Sequence, residues 1–145
     1  MLNLAQIKDY AHRAGFDLCG VTPSLNLTTD SEFLKQWINH GFSSTLGYME
    51  RNIDKRADIT RLVEGAKSVI VCGVAYKNEF SNGYSDNCRQ KIASYALNRD
   101  YHKSIKQMLK QLLNNLKELD KSVSGRVFTD SAPVFEKRYA VEAGL

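Results

Sequence analysis

Two short segments of the chain bring together side chains suited to ligand binding and proton transfer. The first is Tyr95-Ala96-Leu97-Asn98-Arg99-Asp100-Tyr101-His102. Arg99 offers a planar fork of donors for a carboxylate, amide or phosphate. Tyr95 and Tyr101 offer flat apolar faces with polar tips. Asp100 has two readings: it caps the helix that follows, or it joins its neighbours in a ligand surface, since helix N-termini also hold anions. The second segment is Phe128-Thr129-Asp130-Ser131-Ala132-Pro133. A carboxylate between a strand and a helix stands where open α/β sheets place functional groups. Asp130 also has a capping reading. A helix terminus would keep it ionised, whereas burial beside an apolar ligand would raise its pKa and let it donate a proton.

Other chemistry is sparse. Cys19, Cys72 and Cys88 are odd in number and lack Cys-x-x-Cys spacing, so they encode neither a disulfide framework nor a zinc or iron–sulfur site. Cys19 and Cys72 lie in apolar runs and read as core filling; Cys88 lies in a polar stretch and reads as near the surface, its role open. This cysteine usage fits a reducing cytosol. The chain has no glycine-rich phosphate loop, no His-Glu-x-x-His and no nucleophile elbow. With 20 Lys+Arg against 16 Asp+Glu the net charge is +4. That modest excess reads as solvated faces, which permit nucleic-acid contact without requiring it.

The elements that must position these segments follow from periodicity. The chain has 145 residues, 43% of them hydrophobic and 25% charged, an ordinary composition for one folded domain over residues 1–145. The longest apolar run, Val69 to Tyr76, is far short of the ~20 residues a membrane helix needs. The N-terminus lacks the apolar stretch of a secretion signal. Leu4, Ile7, Tyr10, Ala11 and Ala14 predict a helix closed by Gly15 at C′. Phe16–Val21 predicts a strand; Asp30 or Ser31 is the predicted cap of a second helix, carrying Phe33, Leu34, Trp37 and Ile38 and stopping at Gly41. Residues 46–63 are charged and broken, predicting short helical turns over a surface. Ser68–Tyr76 predicts a strand buried on both faces, followed by a polar loop from Lys77 to Cys88 and a helical stretch over Ile92–Ala96. A leucine-rich stripe from Ile105 to Leu119 predicts a long helix over about Asp100–Asp120. Arg126–Thr129 predicts a third strand, and Pro133 the first position of a last helix. The fold class is therefore α/β (α+β): a small mixed sheet with helices packed on it.

The chemical segments resemble those of a known family. Ala93–Lys103 resembles the "ARYA-x-GRDYHK" run of epoxyqueuosine reductases, and Val127–Lys137 resembles their "VFVDTAPVLEK". Ala143-Gly144-Leu145 matches the opening of "AGLGWIGKNT". Trp37, Gly41, Leu46–Arg51 and Gly65–Ile70 are similar to "WL…G…M-x-YMER…PGAKSVI". The resemblance spans nearly the whole chain, in order. Asn98 stands where the family commonly has Gly, Ser94 where it has Arg, and Glu64 where it has Pro. Asn is the non-glycine residue best able to take positive φ, so the turn at Asn98 survives; the contact an Arg would make at Ser94 is placed in doubt.

The resemblance implies a cobalamin-dependent, iron–sulfur oxidoreductase that reduces epoxyqueuosine to queuosine in tRNA, in the cytoplasm and without a membrane partner. It implies an N-terminal cobalamin-binding domain, similar to that of reductive dehalogenases and distantly nitroreductase-like. It implies cofactor contacts from Tyr95, Arg99, Asp100, Tyr101, His102, Ser131 and Ala132, with His102 at the corrin periphery rather than on cobalt, and Asp130 as general acid. Two 4Fe-4S clusters belong to a C-terminal iron–sulfur part whose cysteines are absent from this chain, so the chain reads as the leading part of a longer enzyme, inactive alone. Two other readings compete: a domain of a related iron–sulfur or flavin reductase acting on another substrate, and a non-catalytic tRNA-contacting module.

Overall fold

The computed structural model describes residues 2–76, 93–97 and 100–145. The expectations for the loop from Lys77 to Cys88, and for Ile92, Asn98 and Arg99, fall outside the described residues. The architecture is mixed α/β: α1 (Leu4–Arg13), β1 (Leu18–Pro23), α2 (Thr28–Asn39), α3 (Ile53–Ala57), β2 (Ser68–Gly73), α4 (Tyr101–Leu119) and α5 (Glu136–Glu142). Short 3-10 turns lie at Ile59–Arg61 and Ser94–Leu97. β1 and β2 pair in a two-stranded antiparallel sheet. The chain divides into two compact units, Met1–Cys19 with Cys72–Thr129, and Gly20–Val71 with Asp130–Leu145.

In the first unit, α1 packs on α4. α1 opens with a reciprocal cap: the Gln6 N–H donates to Asn3 Oδ1 at 2.9 Å, and the Asn3 N–H donates to Gln6 Oε1 at 3.0 Å. It closes at Gly15, whose φ of +99° is the left-handed C′ geometry expected there. α4 follows its predicted stripe. Leu112 and Leu116 are buried; Ile105, Met108, Leu109 and Leu113 are half-buried; the stripe runs out at Leu119, which is 44% exposed. Ala11, Ala14, Phe16 and Cys19 complete this core.

In the second unit, Leu27, Ile59 and Tyr139 form a buried cluster, joined by Leu25, Val69 and Phe135. Tyr139 is 1% exposed, and its hydroxyl donates to the Leu25 carbonyl at 3.3 Å; burial pushes its pKa up. Ile59 belongs to a segment that reads as a charged surface, yet it is core. The Asp58 carboxylate accepts from the Thr60 N–H and hydroxyl, which folds the turn and turns Ile59 inward. Those bonds hold the Asp58 carboxyl below its ordinary pKa.

Several boundaries differ from the expectation. α2 begins at Thr28, earlier than the predicted Asp30 or Ser31 cap, and no side chain caps it. Ser31 is buried inside the first turn, its hydroxyl donating to the Thr28 carbonyl at 2.9 Å, while Asp30 faces Arg138 at 3.7 Å. Phe33 lies on the open side of α2, 68% exposed. β1 starts two residues later than predicted and runs through Pro23. β2 ends at Gly73 and is half-buried rather than buried on both faces, and β1 is its one strand neighbour among the described residues. Arg126–Thr129 forms no strand: its β-forming residues find no ladder partner among the described residues, and Arg126 stacks over the Phe128 ring at 5.2 Å. Pro133 precedes α5 by three residues instead of opening it.

Gly20 sits where a Cβ would meet the Ala143 carbonyl oxygen at 2.4 Å and its Cβ at 2.8 Å. Gly20→Ala should therefore destabilise the chain by about 1–3 kcal/mol through overpacking. An unchanged urea midpoint would show that the α5 end yields freely. Along α4, Leu116→Ala should cost about 2–5 kcal/mol and Leu119→Ala less than about 0.5 kcal/mol. Equal losses at the two positions would contradict the burial of the stripe.

Candidate functional site

The helix-start segment folds into an aromatic ladder within the first unit. Tyr76 meets Tyr95 edge-on, ring centroids 6.3 Å apart at 87°. Tyr95 meets Tyr101 edge-on at 6.0 Å and 89°. Tyr101 stacks on His102 at 4.1 Å and 26°. Edge-to-face pairing at these distances is the arrangement the ring quadrupoles favour. Tyr76 and Tyr95 are 58% and 50% exposed. The predicted residues Tyr95, Tyr101 and His102 are thus together, whereas Arg99 falls outside the described residues.

Tyr76 is an addition. It reads as the tail of a strand, and nothing in its spacing announces a ring 19 positions away. The Asp17 carboxylate accepts the Ala75 N–H at 2.7 Å, which anchors the backbone immediately before Tyr76.

Asp100 is the helix cap. Its Oδ1 accepts the His102 N–H at 3.1 Å and lies 3.2 Å from His102 Nδ1. Lys103 Nζ approaches the same carboxylate at 4.0 Å. The capping and ligand readings of Asp100 are therefore compatible. One oxygen both starts α4 and orients the imidazole at the end of the ladder.

Asp130 is not a cap. α5 opens at Glu136 with no side-chain cap, six residues downstream. Asp130 instead occupies the left-handed region at φ +50°. For a residue with a Cβ this costs on the order of 1–2 kcal/mol, and such strain gathers at functional positions. Its N–H donates to Glu136 Oε1 at 3.0 Å, a bond that holds the turn in this conformation. Ser131 follows, exposed, and the Ala132 carbonyl accepts the Val134 N–H at 2.8 Å in a tight turn. Glu136, absent from the sequence-derived candidates, is the residue that fixes the Asp130 backbone. A carboxylate six residues downstream carries no periodic signal.

Thr129, immediately before Asp130, has a buried Oγ1 with no hydrogen-bond partner among the described residues. An orphaned buried hydroxyl costs about 1–3 kcal/mol and calls for an explanation. A recess of about 330 Å³ in the second unit is lined by Asn26, Thr28, Lys35, Asp54 and Arg61. It contains none of the predicted residues, and Arg61 is paired there with Asp54 at 3.1 Å. No group of three or more His, Cys, Asp or Glu among the described residues is placed to hold a metal ion. No helix among them is long and apolar enough to cross a membrane.

Comparison with known proteins gives a consistent answer. The family model "Epoxyqueuosine reductase QueG, DUF1730" matches residues 56–131. The chain is 43% identical over 139 residues to an epoxyqueuosine reductase of Cyclobacterium marinum, covering 96% of this chain and 44% of that protein. It is 39% identical to an epoxyqueuosine reductase of Leadbetterella byssophila, covering 97% of this chain and 45% of the relative. The chain thus spans less than half the length of the curated relatives it matches. In fold it is similar to the structure of epoxyqueuosine reductase from Streptococcus thermophilus, with a TM-score of 0.84 at 23% identity over 98% of this chain and 39% of that one. The matched span takes in the tyrosine ladder and the strained aspartate together, and on that ground the chain belongs to the epoxyqueuosine reductase family.

Proposed function

We propose that residues 1–145 are the cobalamin-binding domain of a reductase that removes the epoxide oxygen of epoxyqueuosine in tRNA, in the cytoplasm. The observation that carries this reading is the single family match that includes both Tyr76–His102 and Asp130. In this reading two 4Fe-4S clusters lie in a C-terminal iron–sulfur part of the same protein and supply electrons.

The residues fit a cobalamin. The exposed rings of Tyr76 and Tyr95 offer apolar surface with hydroxyl tips to a large flat macrocycle. The orphaned Thr129 hydroxyl suits the amide groups that rim a corrin. When bound, cobalamin supplies a reduced cobalt centre able to pass electrons to the epoxide.

The chain's own residues do the rest. Tyr95, Tyr101 and Arg99 hold the ring. Asp100 orients His102, which would hydrogen-bond the corrin periphery. Ser131 and Ala132 are further cofactor contacts in this reading. Asp130 delivers a proton to the epoxide oxygen as the carbon–oxygen bond opens, so that no bare alkoxide forms. The Glu136 bond to the Asp130 N–H keeps that carboxyl on a fixed backbone. A mobile donor would lose the benefit of positioning.

In the full-length protein, Asp130→Asn should retain cobalamin while epoxide reduction falls about 10²–10⁴-fold, the usual worth of a positioned acid. Undiminished turnover in a single-turnover assay would remove Asp130 from the acid role. Titration of the 145-residue chain with cobalamin should give a saturable change in the visible spectrum, weakened by Tyr95→Ala. A full-length protein that leaves the cobalamin spectrum unchanged would defeat the cofactor assignment.

A further inference from the structure

Cys19 and Cys72 stand apart from both candidate segments. Cys19 closes β1's share of the first unit and Cys72 lies near the end of β2; both are free thiols, one buried and one half-buried. The Cys72 thiol donates to Cys19 Sγ across 4.0 Å. Two sulfurs in contact must project from the same face of the sheet. Facing residues on antiparallel strands have Cα atoms about 4.5–5.5 Å apart, inside the ~4.4–6.8 Å that a disulfide bridges. A Cβ at Gly73 would lie 3.4 Å from Leu18 Cβ, which makes Cys19 and Cys72 the next cross-strand pair, and a disulfide there would need the sulfurs to close from 4.0 Å by side-chain rotation. We propose that Cys19 and Cys72 are an oxidation site that closes into a reversible disulfide on exposure to hydrogen peroxide.

The roles within the pair are unequal. The Cys72 hydrogen bond, helped by the Lys8 charge and opposed by burial, lowers the Cys19 pKa. Cys72 is pushed up by the same partnership and by burial. In the step proposed Cys19 is the attacking thiolate and Cys72 the resolving thiol; the reverse order gives the same disulfide. Peroxide is small and uncharged, which suits a buried nucleophile. The Cys19 thiolate attacks one peroxide oxygen: an S–O bond forms, the O–O bond breaks, and hydroxide leaves to become water with the proton Cys19 gave up. The Cys72 sulfur then attacks the sulfenic sulfur: the S–S bond forms, the S–O bond breaks, and the hydroxyl leaves as water with the Cys72 proton. The two sulfurs lose two electrons and peroxide gains them. The product ties β1 to β2 and closes the chain between them, which restricts the unfolded ensemble and should raise the melting temperature.

The test is a thiol map of the 145-residue chain after peroxide treatment, alkylation and digestion without reductant. The expected result is one cross-linked pair, the peptide of Cys19 joined to that of Cys72, with Cys88 alkylated and both thiols restored by dithiothreitol. A Cys88→Ala variant should form the same link. In urea, where the strands no longer pair, cross-links should spread to Cys88. The proposal is overturned if the folded chain keeps both thiols, if either cysteine proceeds to sulfinic acid without a link, or if either joins Cys88 in the folded chain.

Discussion

The antiparallel pairing of β1 with β2 is the constraint on which the other placements depend. At one end the Asp17 N–H donates to the Gly73 carbonyl at 3.0 Å, and at the other the Ser24 N–H donates to the Lys67 carbonyl at 3.0 Å. Strands so far apart in sequence close a long loop, an entropic cost that local contacts alone do not repay. The compensation comes from what lies at each end. Asp17 takes a second role by accepting the Ala75 N–H, which places Tyr76 beside Tyr95. Past the other end, Leu25 and Leu27 enter the cluster around Tyr139. Each strand contributes residues to both compact units.

Close backbone approach is the second organising feature. Gly20 leaves room for the Ala143 carbonyl where any side chain would collide. That contact is available only because α5 ends in a short turn, with the Leu145 N–H donating to the Ala140 carbonyl at 2.9 Å. Tyr139, one turn earlier, is buried almost completely and still satisfies its hydroxyl at Leu25. A buried tyrosine with its one donor paired is both a packing residue and an orientation device. It sets α5, and with it Glu136, whose carboxylate holds the Asp130 N–H.

The polar chemistry thus rests on side chains doing double duty. Asp100 starts α4 and orients His102 with a single oxygen. Glu136 opens α5 and fixes a strained aspartate. In both places a candidate site residue is coupled to a helix terminus, where backbone N–H groups lack partners within the helix and must be met from outside. Helix starts are therefore economical places to hold a polar side chain still.

Local periodicity made much of this legible without coordinates. The stripe of α4, the glycine closing α1 and the Asp100 cap are short-range patterns, satisfied within a turn or two of backbone, and the structure follows them. The family resemblance, carried by ordered motifs, was legible too. What the sequence alone left undecided, or suggested otherwise, depends on partners distant along the chain. Arg126–Thr129 has strand-forming residues, but a strand exists only where a second one accepts its hydrogen bonds. Asp130 and Pro133 read as a helix start, yet the helix begins at Glu136, because the turn is held by the Glu136 side chain rather than by a local cap. Ile59 became core and Phe33 surface according to which neighbours tertiary packing supplied. The contacts of Tyr76 with Tyr95 and of Cys19 with Cys72 likewise arise from strand pairing, a long-range event that no local spacing encodes.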